Sequence, residues 1–346
     1  MAGAAPNIRD VAQRAGVSTA TVSRTLAHPD KVREDTRQKV MEAVEALGFV
    51  PNDRARVLRR QSSQTVILLV RDISNPFYLD VYKGVEEAAF DAGYKVLMGD
   101  ARDDDERISH YIEAVRERHA DGLILMIGRL PDRFGEDPAR LPPIVVASEA
   151  IRTIDVPTVK VDNVAAARAA VEHLIALGHR QICHIAGPLD EYLGEARLEG
   201  YRAALAAAGI GDDPGLVLAG DFSLGAGHDL VADLIARGGT FSAIFAASDQ
   251  MAIGAITALR QRGLRVPEDI SVVGFDDTLI ASMVDPALTT IHQPRRDIGF
   301  AAMTMMIERL SGVVTPTDRV FPTELIVRNS TRPLGRTHPR QERGHR

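Results

Sequence analysis

The hydrophobic positions follow one rhythm near the start of the chain and another through the rest. Over residues 8–26, I-R-D-V-A-Q-R-A-G-V-S-T-A-T-V-S-R-T-L, the apolar residues Ile8, Val11, Ala12 and Ala15 recur at helical spacing. Gly16 interrupts the stripe, and Val22 and Leu26 resume it. Glycine supplies the tight turn, and a serine at position 18 is placed to accept a hydrogen bond from the first turn of a new helix. The spacing therefore predicts a helix-turn-helix with Ser18 as N-cap, and a further helix over Thr36–Leu47 completes a three-helix head.

From Gln64 onward, short apolar runs alternate with helical patterns. Runs of buried-strand type occur at Gln64–Val70, Lys95–Met98, Gly122–Ile127, Pro143–Ala147, Thr158–Val161, Gln181–Ala186, Ala243–Ala247 and Ile270–Phe275. Helical segments separate them, at Leu79–Ala92, Asp105–Arg118, Ala165–Leu177, Ala196–Ala208, Ala226–Ala236 and Gln250–Arg262. Strand and helix in alternation imply parallel sheets covered on both faces. This is more than one comfortable core, so two doubly wound α/β lobes are expected. In such folds ligands bind where the carboxyl ends of the strands meet a crevice, here the cleft between the lobes. The basic, Pro/Gly-broken stretch over 332–346 is expected to be a disordered tail.

Charge divides the chain at the same place. Residues 1–61 carry 11 Lys and Arg against 7 Asp and Glu, net +4, whereas the remainder is net −10. Cationic side chains displace phosphate counterions, so a basic head on an acidic body suggests contact with nucleic acid through the head alone. No stretch has the roughly 20 uncharged apolar residues of a membrane span. The opening residues lack a secretory layout, so a cytoplasmic location is expected. The single cysteine, Cys183, lies among isoleucines and reads as core.

On the second helix the outward positions are Thr19, Ala20, Thr21, Ser23 and Arg24, beside the cap Ser18. Arg24 is suited to address a guanine edge with two parallel bonds, while Thr19 and Ala20 suit thymine methyls or other base edges. Here the sequence resembles the lactose-repressor (LacI/GalR) family: V-S-T-A-T-V-S-R-T-L, then G-F-V-P-N, D-I-S-N-P-F-Y, R-L-E-G-Y, S-D-Q-M-A-I-G-A and V-P-E-D-I-S-V-V-G-F-D-D. The likeness covers about 325 residues. H-P-D-K-V, G-R-L-P and G-D-F lean toward its cytidine-responsive branch.

The resemblance implies a DNA-binding head over 1–50 and a hinge over 51–62. It also implies a periplasmic-binding-protein-like body over 63–331, whose lobes would comprise 63–162 with 293–321 and 163–292 with 322–331. It implies a hinge helix in which Leu58 wedges into a central minor-groove step, with Arg56 and Arg59 beside phosphates or in the narrowed groove. It carries Phe77, Tyr78, Arg197, Phe222 and Asp276 to the interlobe cleft. Arg129, Ser148 and Glu149 are added because they lie near strand ends.

Aromatic walls, an arginine and a carboxylate suit a neutral, hydroxyl-rich effector with a flat face, such as a nucleoside, with a sugar as the alternative. Glu191 stands where a purine-responsive relative has arginine, so that contact does not transfer. Ser248 replaces an asparagine of sugar-responsive relatives, and Asp249 is expected to cap the helix at Gln250.

Neither a nucleophile elbow nor a phosphate-binding loop nor a paired-cysteine motif occurs, and His173, His179 and His184 have no zinc spacing. His179 is expected at a helix end, where a cation is favoured, and Asp103–Glu106 as the acidic start of a helix. The expectation is therefore a non-enzymatic repressor that uses no cofactor or metal. It would bind a pseudo-palindromic operator as a homodimer and release it when a small molecule binds. A solute-binding protein would share the body but have no use for residues 8–60.

Overall fold

The computed structural model describes residues 6–49, 62–135, 140–313 and 318–335. Two compact units result, Met1–Ser62 and Ser63–Arg346.

In the first unit, α1 (Ile8–Ala15), α2 (Thr19–Ala27) and α3 (Glu34–Leu47) enclose a small core of Val11, Ala12, Val22, Val40, Ala43 and Phe49. Gly16 closes α1 in the left-handed conformation at φ 67°, where an L side chain is strained, and Val17 N donates to Ala12 O at 3.0 Å. The third helix starts two residues before the expected Thr36, because the acidic Glu34 and Asp35 complete its first turn.

The second unit holds two parallel sheets. The larger is built from β1 (Thr65–Val70), β2 (Lys95–Asp100), β3 (Gly122–Met126), β4 (Ile144–Ala147), β5 (Thr158–Val161) and β11 (Asp318–Phe321), in the order β11-β5-β4-β3-β1-β2. The smaller contains β6 (Ile182–Ala186), β7 (Val217–Ala219), β8 (Ala243–Ala246) and β9 (Ser271–Val273), in the order β7-β6-β8-β9. An antiparallel pair, β10 (Thr290–His292) with β12 (Glu324–Ile326), lies beside them. The chain thus passes between the sheets after β5, again after β10, and back after β11.

Helices α4 (Phe77–Asp91), α5 (Asp105–Arg116), a short α6 (Asp132–Gly135) and α12 (Arg295–Leu310) belong to the larger sheet's lobe. Those of the other lobe are α7 (Asn163–Ala176), α8 (Tyr192–Ala207), α9 (Leu224–Ala236), α10 (Asp249–Gln261) and α11 (Leu279–Met283). Each sheet is buried between two apolar layers, which explains the unbroken V-I-L-L-V of β1 and I-V-V-A of β4.

Two expectations are corrected. His179 does close the end of α7, its N donating to Leu174 O at 3.1 Å, but it is buried rather than placed as a cation: its Nδ1 lies 2.9 Å from Ser242 Oγ, and its Nε2 lies 3.0 Å from Ser271 Oγ and 3.1 Å from Arg332 O. Burial pulls its pKa below the usual imidazole value, which suits a hydrogen-bond clip. That clip also alters the tail, since Arg332 N donates to Ser271 Oγ and Leu334 N to Leu177 O at 2.8 Å. Residues 332–335 are thus pinned to the body by backbone bonds, and residues 336–346 lie outside the described residues.

Candidate functional sites

In the head, Ser18 caps α2 as expected, accepting from Thr21 N at 3.1 Å, and its hydroxyl lies 2.9 Å from Thr21 Oγ1. Those two hydroxyls are engaged with each other. Thr19, Ala20 and Arg24 are exposed on one side of α2, Thr21 and Ser23 are half-buried, and Val22 and Thr25 face the core. The hinge residues Arg56, Leu58 and Arg59 lie outside the described residues.

In the body, the carboxyl ends of both sheets supply one cluster of charged and aromatic groups. From the larger sheet come Arg71 after β1, Asp103 after β2, Arg129 after β3, and Ser148 and Glu149 after β4. From the smaller sheet come Glu191 and Arg197 after β6, Phe222 after β7, Ser248 and Asp249 after β8, and Asp276 after β9. Parallel strands ending in register, each followed by a short connection, bring these ends together.

Arg197 is buried on α8. Its Nε donates to Asn163 Oδ1 at 3.0 Å and its Nη1 to Ala247 O. The guanidinium lies 3.7 Å from the ring centre of Phe275 and 5.8 Å from that of Phe222. Cation and aromatic faces attract, and the Phe275 ring is the nearer of the two. Phe222 adopts a left-handed backbone, φ 68°, and its ring lies so close to Gly187 that a side chain there would meet Cζ at 2.0 Å.

Asp276 is buried at φ 120°, and its Oδ1 accepts from Gln293 Nε2 at 2.8 Å. Burial raises its pKa and Arg197 opposes the rise. Its carbonyl accepts from Arg295 Nη1, and Arg295 Nη2 reaches Asp80 Oδ2 on α4 at 3.0 Å. The end of β9 in one lobe is thereby tied to a helix of the other.

Tyr78 is buried and electrostatically coupled to Arg71, Glu149 and Asp276; burial holds its hydroxyl well above the usual phenol value. Phe77, like Tyr78, belongs to the lobe's buried core cluster. Its side chain packs in the lobe's core and meets Tyr78 edge-on at 5.4 Å, because it lies on the inner face of α4.

Arg71 was not singled out from the sequence, although an arginine directly after an all-apolar strand was a visible signal. It is buried, and its two terminal nitrogens reach Asp103 Oδ1 at 2.5 Å and Glu191 Oε2. Glu191 in turn lies 3.6 Å from Arg129 Nε, while Arg129 Nη2 donates to Asp103 O at 2.6 Å and Nη1 to Asp105. The chain Asp103–Arg71–Glu191–Arg129 joins the lobes. At the rim Arg152 pairs with Glu195, a second cross-lobe contact. The acidic start of α5 thus has two jobs: Asp104 caps the helix, accepting from Glu106 N at 2.8 Å, and Asp103 faces Arg71.

A further correction concerns β8. Ser248 caps α10, accepting from Met251 N at 3.1 Å, while Asp249 is the first helical residue. Asp249 turns inward and accepts from Thr278 N at 2.7 Å, Thr278 Oγ1 at 3.0 Å and Thr290 Oγ1 at 2.6 Å. A serine reaches back to the helix start, leaving the carboxylate free to bind neighbouring elements.

Among the described residues no cluster of His, Cys, Asp and Glu could hold a metal ion, and no helix is long and apolar enough to cross a membrane. Cys183 is buried, which pushes its thiol up to about 12.

A helix-turn-helix with an exposed reading face, carried by a two-lobed α/β body whose strand ends converge on one polar site, defines a ligand-responsive DNA-binding regulator. The comparisons place it further. Residues 7–52 match the profile of bacterial regulatory proteins of the lacI family, and residues 171–331 that of the periplasmic binding protein-like domain. The chain is 40% identical over 332 residues to the HTH-type transcriptional repressor CytR of Escherichia coli K12, covering 95% of this chain and 97% of the relative. The lac repressor dimer bound to operator and the anti-inducer ONPF has the same fold, with a TM-score of 0.84 at 29% identity over 95% of this chain and 100% of that one. The complex of the regulator CelR with cellobiose gives 0.72 at 34% identity, over 94% and 99%. The chain belongs to the LacI family of DNA-binding transcriptional regulators.

Proposed function

We propose that the chain represses transport or catabolic genes from a pseudo-palindromic operator, and that a nucleoside bound between the lobes relieves repression. The observation that carries the effector reading is Arg197. It is buried, its guanidinium lies 3.7 Å from the ring centre of Phe275 and 5.8 Å from that of Phe222, and Asp276 is its electrostatic partner. A forked donor beside a carboxylate and an aromatic ring suits a ligand with ribose hydroxyls and a planar base.

The reading divides the chain into a head over 1–50, a hinge over 51–62 and a body from 63 to 331. In it, Ser18, Thr19, Ala20, Thr21, Ser23 and Arg24 form the DNA face of the head. Arg56, Leu58 and Arg59 act from the hinge, while Tyr78, Arg129, Glu149, Arg197, Phe222 and Asp276 serve the effector. Two such heads read two half-sites, so the working unit is a homodimer in the cytoplasm. Exposed Leu279, Ile280 and Met283 on α11 supply apolar surface for a second copy.

A sugar effector is the second reading, supported by the cellobiose bound to the similar CelR. Leu58→Ala tests the regulator reading: it should weaken specific operator binding about tenfold or more in a gel-shift assay, with the body's melting temperature unchanged. An unchanged operator affinity would retire the hinge.

A further inference from the structure

Most buried polar atoms of the body are paired, but two neighbours at the carboxyl end of β4 are not. Among the described residues, Ser148 Oγ and Glu149 Oε2 have no hydrogen-bond partner, although both residues are buried. Ser148 also takes a left-handed backbone at φ 63°, a conformation that non-glycine residues adopt where the surroundings impose it. Glu149 Oε1 lies 3.9 Å from Arg71 Nη2, too far for a hydrogen bond. The donors of Arg71 are directed instead at Asp103 and Glu191. A buried carboxyl group among charged residues with an oxygen left unpaired is uncommon in folded proteins, and a ligand is its natural complement.

Resting on the nucleoside reading above, we propose that Glu149 reads the effector's base. Its carboxyl takes a planar edge on which a hydrogen-bond donor stands beside an acceptor, in a two-bond contact. A neutral carboxyl has an O–H donor and a C=O acceptor in one plane. It therefore matches an amidine edge, with a ring nitrogen beside an exocyclic amine, or a lactam edge, with a ring N–H beside a carbonyl. Sugar hydroxyls offer no such fixed pair.

The surroundings favour the neutral form. Facing Glu149 are Arg71 from the end of β1, Tyr78 from α4, Asp103 after β2, and Glu191 and Arg197 from the other lobe. Burial is the largest influence and pushes the carboxyl up to about 8; the two arginines oppose it, and Glu191 and Asp103 add to it. Phe222, under the Arg71 and Arg197 guanidiniums, supplies a flat wall for the ring whose edge is read.

Calorimetric titration of the full chain tests this with cytidine, uridine, 3-methyluridine and ribose. Uridine should bind, and 3-methyluridine, whose methyl blocks the ring nitrogen of the paired edge, should bind about tenfold more weakly or not at all. Glu149→Gln, whose amide keeps a donor and an acceptor in one plane, should stay within about threefold of the unaltered chain, and Glu149→Ala should lose about tenfold or more. Raising the pH from 7 to 9 should weaken the unaltered chain and leave Glu149→Gln unaffected. If nucleosides bind but the 3-methyl group changes affinity less than about twofold in the unaltered chain, the base-reading role is wrong and the nucleoside reading survives. If neither nucleoside binds, both are overturned, and binding of ribose alone would leave the sugar reading.

Discussion

Arg24 and Arg71 are both arginines, and their surroundings give them opposite work. Arg24 is exposed on α2, on the face proposed to read DNA, so it is available to a base edge. Replacing it with Ala should lose about 1–3 kcal/mol of discrimination at one base pair per half-site, seen by comparing affinities for operators altered at single positions. Equal loss on every duplex would make it a phosphate contact.

Arg71 is buried and spends its donors on Asp103 and Glu191. Removing Glu191 alone leaves a buried cation short of a partner. Glu191→Ala should therefore cost about 1–3 kcal/mol in denaturant unfolding, whereas replacing Arg71 and Glu191 together by leucine should recover much of that loss. If the double replacement is worse than the single one, the pair itself is a net source of stability.

At this scale the sequence revealed types better than partners. Arg197 and Asp276 stand at one site as the resemblance implied, and the polar spacing at Ser18 was enough to identify a cap. Phe77 and Asp249 could not be read, because whether an aromatic faces core or cleft, and whether Ser248 or Asp249 reaches the helix start, depends on backbone direction at a strand end. Arg71 was missed for a related reason: its partners are 32 and 120 residues away.

Among elements, those with a strong period were legible and those without were not. All eight apolar runs form strands, and all but the edge strand β2 are largely buried within a parallel sheet. β7, β10, β11 and β12 are three or four residues each and were not read, whereas β9, equally short, lies within the longer apolar run Ile270–Phe275. α12 is 16 residues long, yet its sequence R-R-D-I-G-F-A-A-M-T-M-M-I-E-R-L has no narrow apolar stripe. Its apolar residues spread around much of its circumference because it packs on α4 and on the larger sheet, so burial erases the amphipathic signal.

The strand ends also carry a pH signature. Burial in the folded body pushes the Glu149 carboxyl up to about 8, whereas an unfolded chain releases the proton in the ordinary carboxylate range. Because the folded-state value is the raised one, the stability it confers is full below the ordinary carboxylate range and is lost as pH rises through about 8. Asp276 and Asp249, also raised by burial, act in the same direction. The melting temperature of the body should fall as pH climbs from about 5 to 8, and Glu149→Gln should flatten that fall. A melting temperature rising across this window would mean that Glu149 is ionised in the fold.

For the whole molecule, the division of charge, the turn at Gly16 and the alternation after Gln64 were enough to give a DNA-binding head on a two-lobed body. Family membership supports that plan along nearly the full length. The contacts between lobes are less visible in sequence: Arg71 with Glu191, Arg152 with Glu195, and Arg295 bridging Asp80 to the end of β9. An effector regulates only if it binds the two arrangements of these lobes with different affinity.

The direct test is fluorescence anisotropy of a labelled duplex from the chain's own promoter neighbourhood, titrated with the full chain in rising concentrations of cytidine and uridine. The account predicts preference for that duplex over scrambled DNA at low micromolar concentration or better, and an affinity weakened about tenfold or more, about 1.4 kcal/mol, by the nucleoside. Equal affinity for both duplexes, or a specific affinity that no nucleoside alters, would contradict it.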